Sequence, residues 1–131
     1  MPKPVLAWDS LLLILTNVVL LLSGQTLWKV GLQKLGGFSL SSLSNLSSLS
    51  AFAFSPWIMG GLALYVIATG VWFAILSRMD FSLAYPLQSL AFVFGVFLGW
   101  LVFQETVPWT RWAGVAVIVF GVYLVSLPAR P

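Results

Sequence analysis

Apolar residues in this chain gather into four long blocks, at about 6–29, 56–76, 83–103 and 109–127, parted by short polar stretches. An α-helix rises 1.5 Å per residue, so ~20 apolar residues cover the ~30 Å hydrocarbon thickness of a bilayer. The pattern therefore predicts an all-α membrane protein with four transmembrane helices in a single domain over residues 1–131. Lys3 before Leu6 to Leu22 imitates a secretory signal. The run is longer than the usual apolar region of such a signal, and Gly24-Gln25-Thr26 is a poor cleavage context, so it reads as the first span.

That span starts at Val5 or Leu6, with Trp8 and Asp9 near the border, and its apolar character fades after Gly24. Gln25, Lys29, Gln33 and Lys34 then recur at helical spacing, which predicts a polar extension of the same helix ended by Gly36-Gly37. Residues 38–52 contain SLSSLSNLSSLS, with leucines at 40, 43, 46 and 49. The three-residue leucine spacing fits an interfacial helix, and the serine content fits a flexible linker.

Pro56-Trp57 suits the first turn of span two, where Gly60, Gly61, Ala63, Ala68 and Gly70 leave thin places for another backbone. The short turn from Ser77 to Asp80, holding Arg78, makes spans two and three antiparallel neighbours. Span three opens with Ser82-Leu83-Ala84-Tyr85-Pro86-Leu87-Gln88. Pro86 removes one backbone donor, which predicts a kink or locally open helix able to act in gating. Gly95 and Gly99 in span three, and Gly114 and Gly121 in span four, are spaced for helix packing. The Gly114 and Gly121 face is the expected homodimer contact.

Composition removes the soluble alternatives. Of 131 residues, 60% are hydrophobic and 7% charged, and the mean hydropathy is +1.04. The net charge of +3 is spread over single residues, too sparse for a nucleic-acid surface but suited to anionic headgroups. With no cysteine or histidine, the chain has no disulfide framework and no ordinary transition-metal ligand set, and no cofactor is expected. Asp9, Asp80 and Glu105 fall near predicted helix ends, and no catalytic constellation accompanies them, so an enzyme is not expected. Grouping Lys3, Arg78 and Arg130 on one side places Lys29, Lys34 and Arg111 on the other. That three-against-three balance leaves the positive-inside rule undecided and allows dual orientation. Counting Lys29 within the membrane helix favours both termini inside.

Lys29 has two readings: a snorkelling lysine that marks the end of span one, or a cation at the entrance to an intramembrane cavity, paired with Glu105 or a substrate phosphate. Glu105 caps the turn between spans three and four or supplies the counter-charge. Gln25, Tyr85 and Gln88 act either as interhelical hydrogen-bonding glue or as substrate contacts.

Gly24-Gln25 with Lys29, Ser82 to Pro86 with Ser89-Leu90, Glu105, and Trp112-Ala113-Gly114 running to Ile118 and Gly121 form a recognisable series. In these residues the chain resembles the drug/metabolite transporter superfamily, within its small-multidrug-resistance and EamA-like group. Within that group it looks most like the small subunits implicated in flipping aminoarabinose-modified undecaprenyl phosphate. The resemblance implies a dimeric, small-multidrug-resistance-like transporter or flippase of the bacterial inner membrane, acting on a polyprenyl-phosphate-linked or similar amphipathic anionic lipid. Lys29, Gln25, Tyr85, Gln88 and Glu105 would then serve the substrate, with Pro86 in gating. A homodimer is expected, with a heterodimer of related four-helix subunits as the alternative. Multidrug antiporters of this type carry a first-helix glutamate whose position falls on Leu21 here, which argues against proton-coupled export of cationic drugs. The rival functions are export of a polyamine, drug or metabolite, and a non-transporting role as an assembly subunit.

Overall fold

Long apolar runs without proline favour uninterrupted helix, because hydrocarbon offers peptide groups no partner outside the segment itself. The computed structural model of the protein describes residues 7–128. Six α-helices follow in order among these residues: α1 (Trp8–Lys34), α2 (Leu46–Ala53), α3 (Pro56–Leu76), α4 (Phe81–Gln88), α5 (Leu90–Leu101) and α6 (Trp109–Val125), with a 3-10 turn at Leu40–Ser44 before α2. Lys3, Val5, Leu6 and Arg130, which entered the reading of the first span and of sidedness, lie outside the described residues.

Three stretches are long and apolar enough to cross a membrane: α1, α3, and α4 with α5 taken together as Phe81–Leu101. Only 28%, 17% and 17% of their most apolar windows are buried, so most of the apolar surface faces outward. Helix α6 is also apolar but has 17 residues, about 26 Å of rise. Where four spans were expected, three helices thus have the length to cross ~30 Å of hydrocarbon and α6 is a shorter apolar helix.

The chain divides into two compact units, Met1–Val19 with Val71–Pro131, and Leu20–Gly70, and α1 and α3 each contribute residues to both. In the second unit, the polar extension of α1 reaches Lys34. It ends where Gly36 and Gly37 take positive φ, +80° and +92°. Gly37 N–H donates to the Leu32 carbonyl at 2.8 Å and Gly36 N–H to that of Gln33 at 3.3 Å, a Schellman closure of the last turn. The serine–leucine stretch folds into the 3-10 turn and α2, whose first turn is capped by the Asn45 side chain accepting from Ser47 N–H at 3.0 Å. Leu40, Leu43 and Leu46 point outward, and Phe38 meets Phe52 edge to face at 5.0 Å.

Antiparallel packing of α1 and α3 within this unit depends on missing side chains. A Cβ on Gly24 would lie 3.0 Å from the Gly61 carbonyl oxygen, and one on Gly31 would lie 2.8 Å from Trp57 Cβ. Gly61 gives the closest approach, since a Cβ there would collide with the Trp28 ring. The space lets Trp28 stack on Tyr65 at 5.4 Å and donate its indole N–H to the Ile58 carbonyl at 3.1 Å. Lys34 Nζ lies 4.8 Å from the Trp57 ring centroid, a cation–π contact at the end of α1.

In the other unit, Arg78 in the α3–α4 turn pairs with Asp9 at the start of α1, 3.2 Å apart. Both side chains are exposed, so the pair marks one end of the unit more than it stabilises it. Ile14 and Val18 of α1, Ile75 of α3, Ala84 and Leu87 of α4 and Val115 of α6 form the interior. Trp112 of α6 receives Phe97 and Trp100 of α5 edge to face, at 5.0 and 5.9 Å.

Gly61→Ala is expected to lower the melting temperature in detergent or lipid, because the added methyl displaces Trp28 and loses its hydrogen bond, a loss of roughly 1–3 kcal/mol. Gly70→Ala is the control. Nothing lies within 4 Å of a Cβ at that position, and its expected effect is neutral or slightly stabilising.

Candidate functional site

Pro86 has no N–H to offer the Ser82 carbonyl, and the helix of span three divides three residues later. Helix α4 closes at Gln88 and α5 starts at Leu90, with Ser89 between them. Ser89 N–H donates to the Tyr85 and Pro86 carbonyls at 3.2 and 3.1 Å, and its hydroxyl donates to the Pro86 carbonyl. These bonds serve the Tyr85 and Pro86 carbonyls where α4 ends. Tyr85, 51% exposed, packs edge to face on Trp72 at 5.2 Å and against Phe81 at 4.1 Å.

Gln88, the last residue of α4, meets a partner that the sequence pattern did not single out. Asn17, midway along α1 and 2% exposed, donates from Nδ2 to Gln88 Oε1 at 3.0 Å. Asn17 Oδ1 and Gln88 Nε2 are also buried and have no hydrogen-bond partner in the protein. One interhelical side-chain bond in a membrane contributes about 0.6 kcal/mol on average, whereas a buried amide group left unmatched costs about 1–3 kcal/mol. The pair therefore does not repay its burial through stability alone. The signal was present in Leu15-Thr16-Asn17-Val18-Val19, an amide in the middle of an apolar span, where polar residues are costly and commonly serve function.

Gln25 and Lys29 lie on the other stretch of α1, one helical turn apart, with Gln25 exposed and Lys29 partly buried. Thr26 turns its hydroxyl back to the Leu22 carbonyl at 2.7 Å, and Trp28 is committed to Ile58. Lys29 and Glu105 both have interaction partners in the structure.

Glu105 follows a sharp reversal after α5. Gln104 adopts φ +53°, a left-handed conformation unusual for a residue with a side chain. Its Nε2 donates to the Leu101 carbonyl at 2.8 Å, closing the end of α5. Glu105 N–H then donates to the Gly99 carbonyl at 2.9 Å. The carboxylate folds onto the open side of Gly99, where a Cβ would lie 2.8 Å from Oε2. Gly99, whose spacing suggested helix packing, thus seats Glu105. Trp100, Gln104, Glu105, Thr106 and Val107 line an open depression beside it.

Gly95 is partly buried. A Cβ placed on Gly114 or Gly121 would meet nothing within 4 Å, so this face of α6 is open in the single chain. Within one unit Gln88 meets Asn17, Tyr85 meets Trp72 and Phe81, and Glu105 meets Gly99; within the other Gln25 and Lys29 lie one turn apart on α1. Among the described residues no cluster of histidine, cysteine, aspartate and glutamate is suited to holding a metal ion.

Residues 57–127 match the EamA-like transporter family. The chain is 36% identical over 119 residues to a probable 4-amino-4-deoxy-L-arabinose-phosphoundecaprenol flippase subunit ArnE of Pseudomonas fluorescens, covering 89% of this chain and 96% of that relative. It is 30% identical over 124 residues to a probable 4-amino-4-deoxy-L-arabinose-phosphoundecaprenol flippase subunit ArnF of Proteus mirabilis, covering 86% and 87%. A probable subunit ArnF of the same kind from Sodalis glossinidius is 40% identical over 74 residues, 55% of this chain and 57% of that relative. No solved structure matches. With its long outward-facing apolar helices, the chain is a multi-pass membrane protein and belongs to the EamA-like transporter family, homologous to ArnE and ArnF flippase subunits.

Proposed function

We propose that this protein is a subunit of a bacterial inner-membrane flippase that moves a polyprenyl-phosphate-linked, or similarly amphipathic and anionic, lipid between leaflets. The observation that carries this reading is the near full-length similarity to the ArnE relative. A partly buried lysine on the first apolar helix is consistent with it.

Lys29 meets the lipid phosphate. A charge inside hydrocarbon costs at least ~2.5 kcal/mol on insertion scales, and an anionic substrate offsets that cost where a neutral one cannot. Gln25, one turn earlier, hydrogen-bonds the headgroup, and Tyr85 and Gln88 serve the substrate from α4. Glu105 maintains the charge balance of the unloaded state. Pro86, with the break at Ser89, supplies the bend through which α4 opens and closes a path. The position matching the small-multidrug-resistance glutamate is Leu21, so proton exchange for a cationic drug receives no support from that helix.

Four short spans enclose little space, whereas two chains supply eight helices around a shared cavity. The relatives carry the word subunit in their names, which favours pairing with a related four-helix chain. The Gly114 and Gly121 face of α6, open in the single chain, is the contact we assign to that pairing.

In vesicles carrying a fluorescent polyprenyl phosphate, Lys29→Ala is expected to slow flipping roughly 10- to 100-fold at equal insertion, the scale of one charge-assisted contact. Lys29→Arg is expected to retain much of the rate, and an undiminished rate in the alanine variant removes the phosphate role. Leucines at positions 114 and 121 are expected to abolish cross-linked dimers without lowering the melting temperature of the monomer. Cross-linking only on co-expression with a related subunit identifies a heterodimer; cross-linking of the chain alone identifies a homodimer.

A further inference from the structure

We infer that Asn17 and Gln88 form a neutral subsite for a hydroxyl group, supplied by the sugar of the lipid headgroup. The sugar assignment rests on the flippase reading.

Two primary amides can close a ring of two hydrogen bonds, yet here only one is made, from Asn17 Nδ2 to Gln88 Oε1. One acceptor, Asn17 Oδ1, and one donor, Gln88 Nε2, are left buried and without a partner in the protein. Exchanging oxygen for nitrogen in both amides preserves this inventory, since one donor and one acceptor still remain. The requirement for a partner with both capacities is thus independent of how the amides are oriented. A phosphate oxygen satisfies the donor and is repelled by the acceptor. An ammonium group satisfies the acceptor and leaves the donor bare. A hydroxyl satisfies both at a single oxygen, donating to one amide and accepting from the other.

The surroundings sharpen that selectivity. Ile14 and Val18 flank Asn17 on α1, and Ala84 and Leu87 precede Gln88 on α4, all almost fully buried. In such apolar surroundings an unmatched polar group is costly, and the gain on supplying its partner is correspondingly large. Access comes from the break in span three. Gln88 is the last residue of α4, directly before Ser89 and two residues after Pro86, so bending at this point draws its amide away from Asn17 and uncovers both groups.

The test compares the wild type with Asn17→Leu, Gln88→Leu and the double leucine variant in lipid nanodiscs, reading tryptophan fluorescence. The probes are farnesyl phosphate, farnesyl phosphoryl-glucose and methyl glucoside. Each single variant leaves one amide without its partner and is expected to melt earlier. The double variant removes both and is expected to melt near the wild-type temperature, which keeps the measurement clear of misfolding.

Wild type is expected to bind the glycosylated lipid roughly tenfold more tightly than farnesyl phosphate. The double variant is expected to lose that preference and to bind the two lipids with the same affinity. A preference that survives in the double variant, or is absent from the wild type, overturns the inference. Lys29-dependent binding of farnesyl phosphate in that case leaves the flippase reading standing. Failure of the wild type to bind either lipid, with methyl glucoside bound only when Asn17 and Gln88 are present, overturns the flippase reading and assigns the hydroxyl to a free sugar.

Discussion

Hydrocarbon gives no advantage to bringing two apolar helices together, because lipid tails are as good a neighbour as leucine. Association must come from close backbone approach and from polar groups with nowhere else to bond. Both devices occur in this chain, in different places. Around Gly24, Gly31 and Gly61 side chains are missing where α1 and α3 meet, and the recovered space lets an indole reach a main-chain carbonyl. Around Asn17 and Gln88 the packing is of ordinary apolar residues, and a lone amide–amide bond joins α1 to α4.

The two devices differ in what they permit. Shape-matched contact through glycine is rigid, since a Trp28 ring lodged against Gly61 has little freedom to slide. A single hydrogen bond beside a helix break is different. Ser89 supplies local hydrogen bonds at the turn between α4 and α5, and one amide bond is weak enough to exchange for another. Firm packing thus marks one stretch of α1 and an exchangeable link the other.

Much of this was legible in the amino-acid order. The apolar blocks mark the helices because span length is set by bilayer thickness, the tandem glycines mark the end of α1, and Pro86 announces the division of span three. The residues that carried the family resemblance lie at similarly local features. What stayed hidden depends on who meets whom. Asn17 gains meaning only from Gln88, 71 positions later, and Gly31 only from Trp57 on the returning helix. Spacing linked Gly95 with Gly99 as a packing pair, yet the chain folds back after α5 and fills the Gly99 notch with Glu105. That reversal turns on the left-handed Gln104, a residue type that gives no warning of such a conformation.

The Schellman closure of α1 has a consequence for the connector beyond it. Gly36 and Gly37 set the exit direction through their own backbone angles, and the bonds that hold them run back into α1. The aim of the chain as it leaves the helix is therefore decided before the serine–leucine stretch begins. That stretch is free to drift in length and spelling, much as a tether can be respliced without moving its cleat.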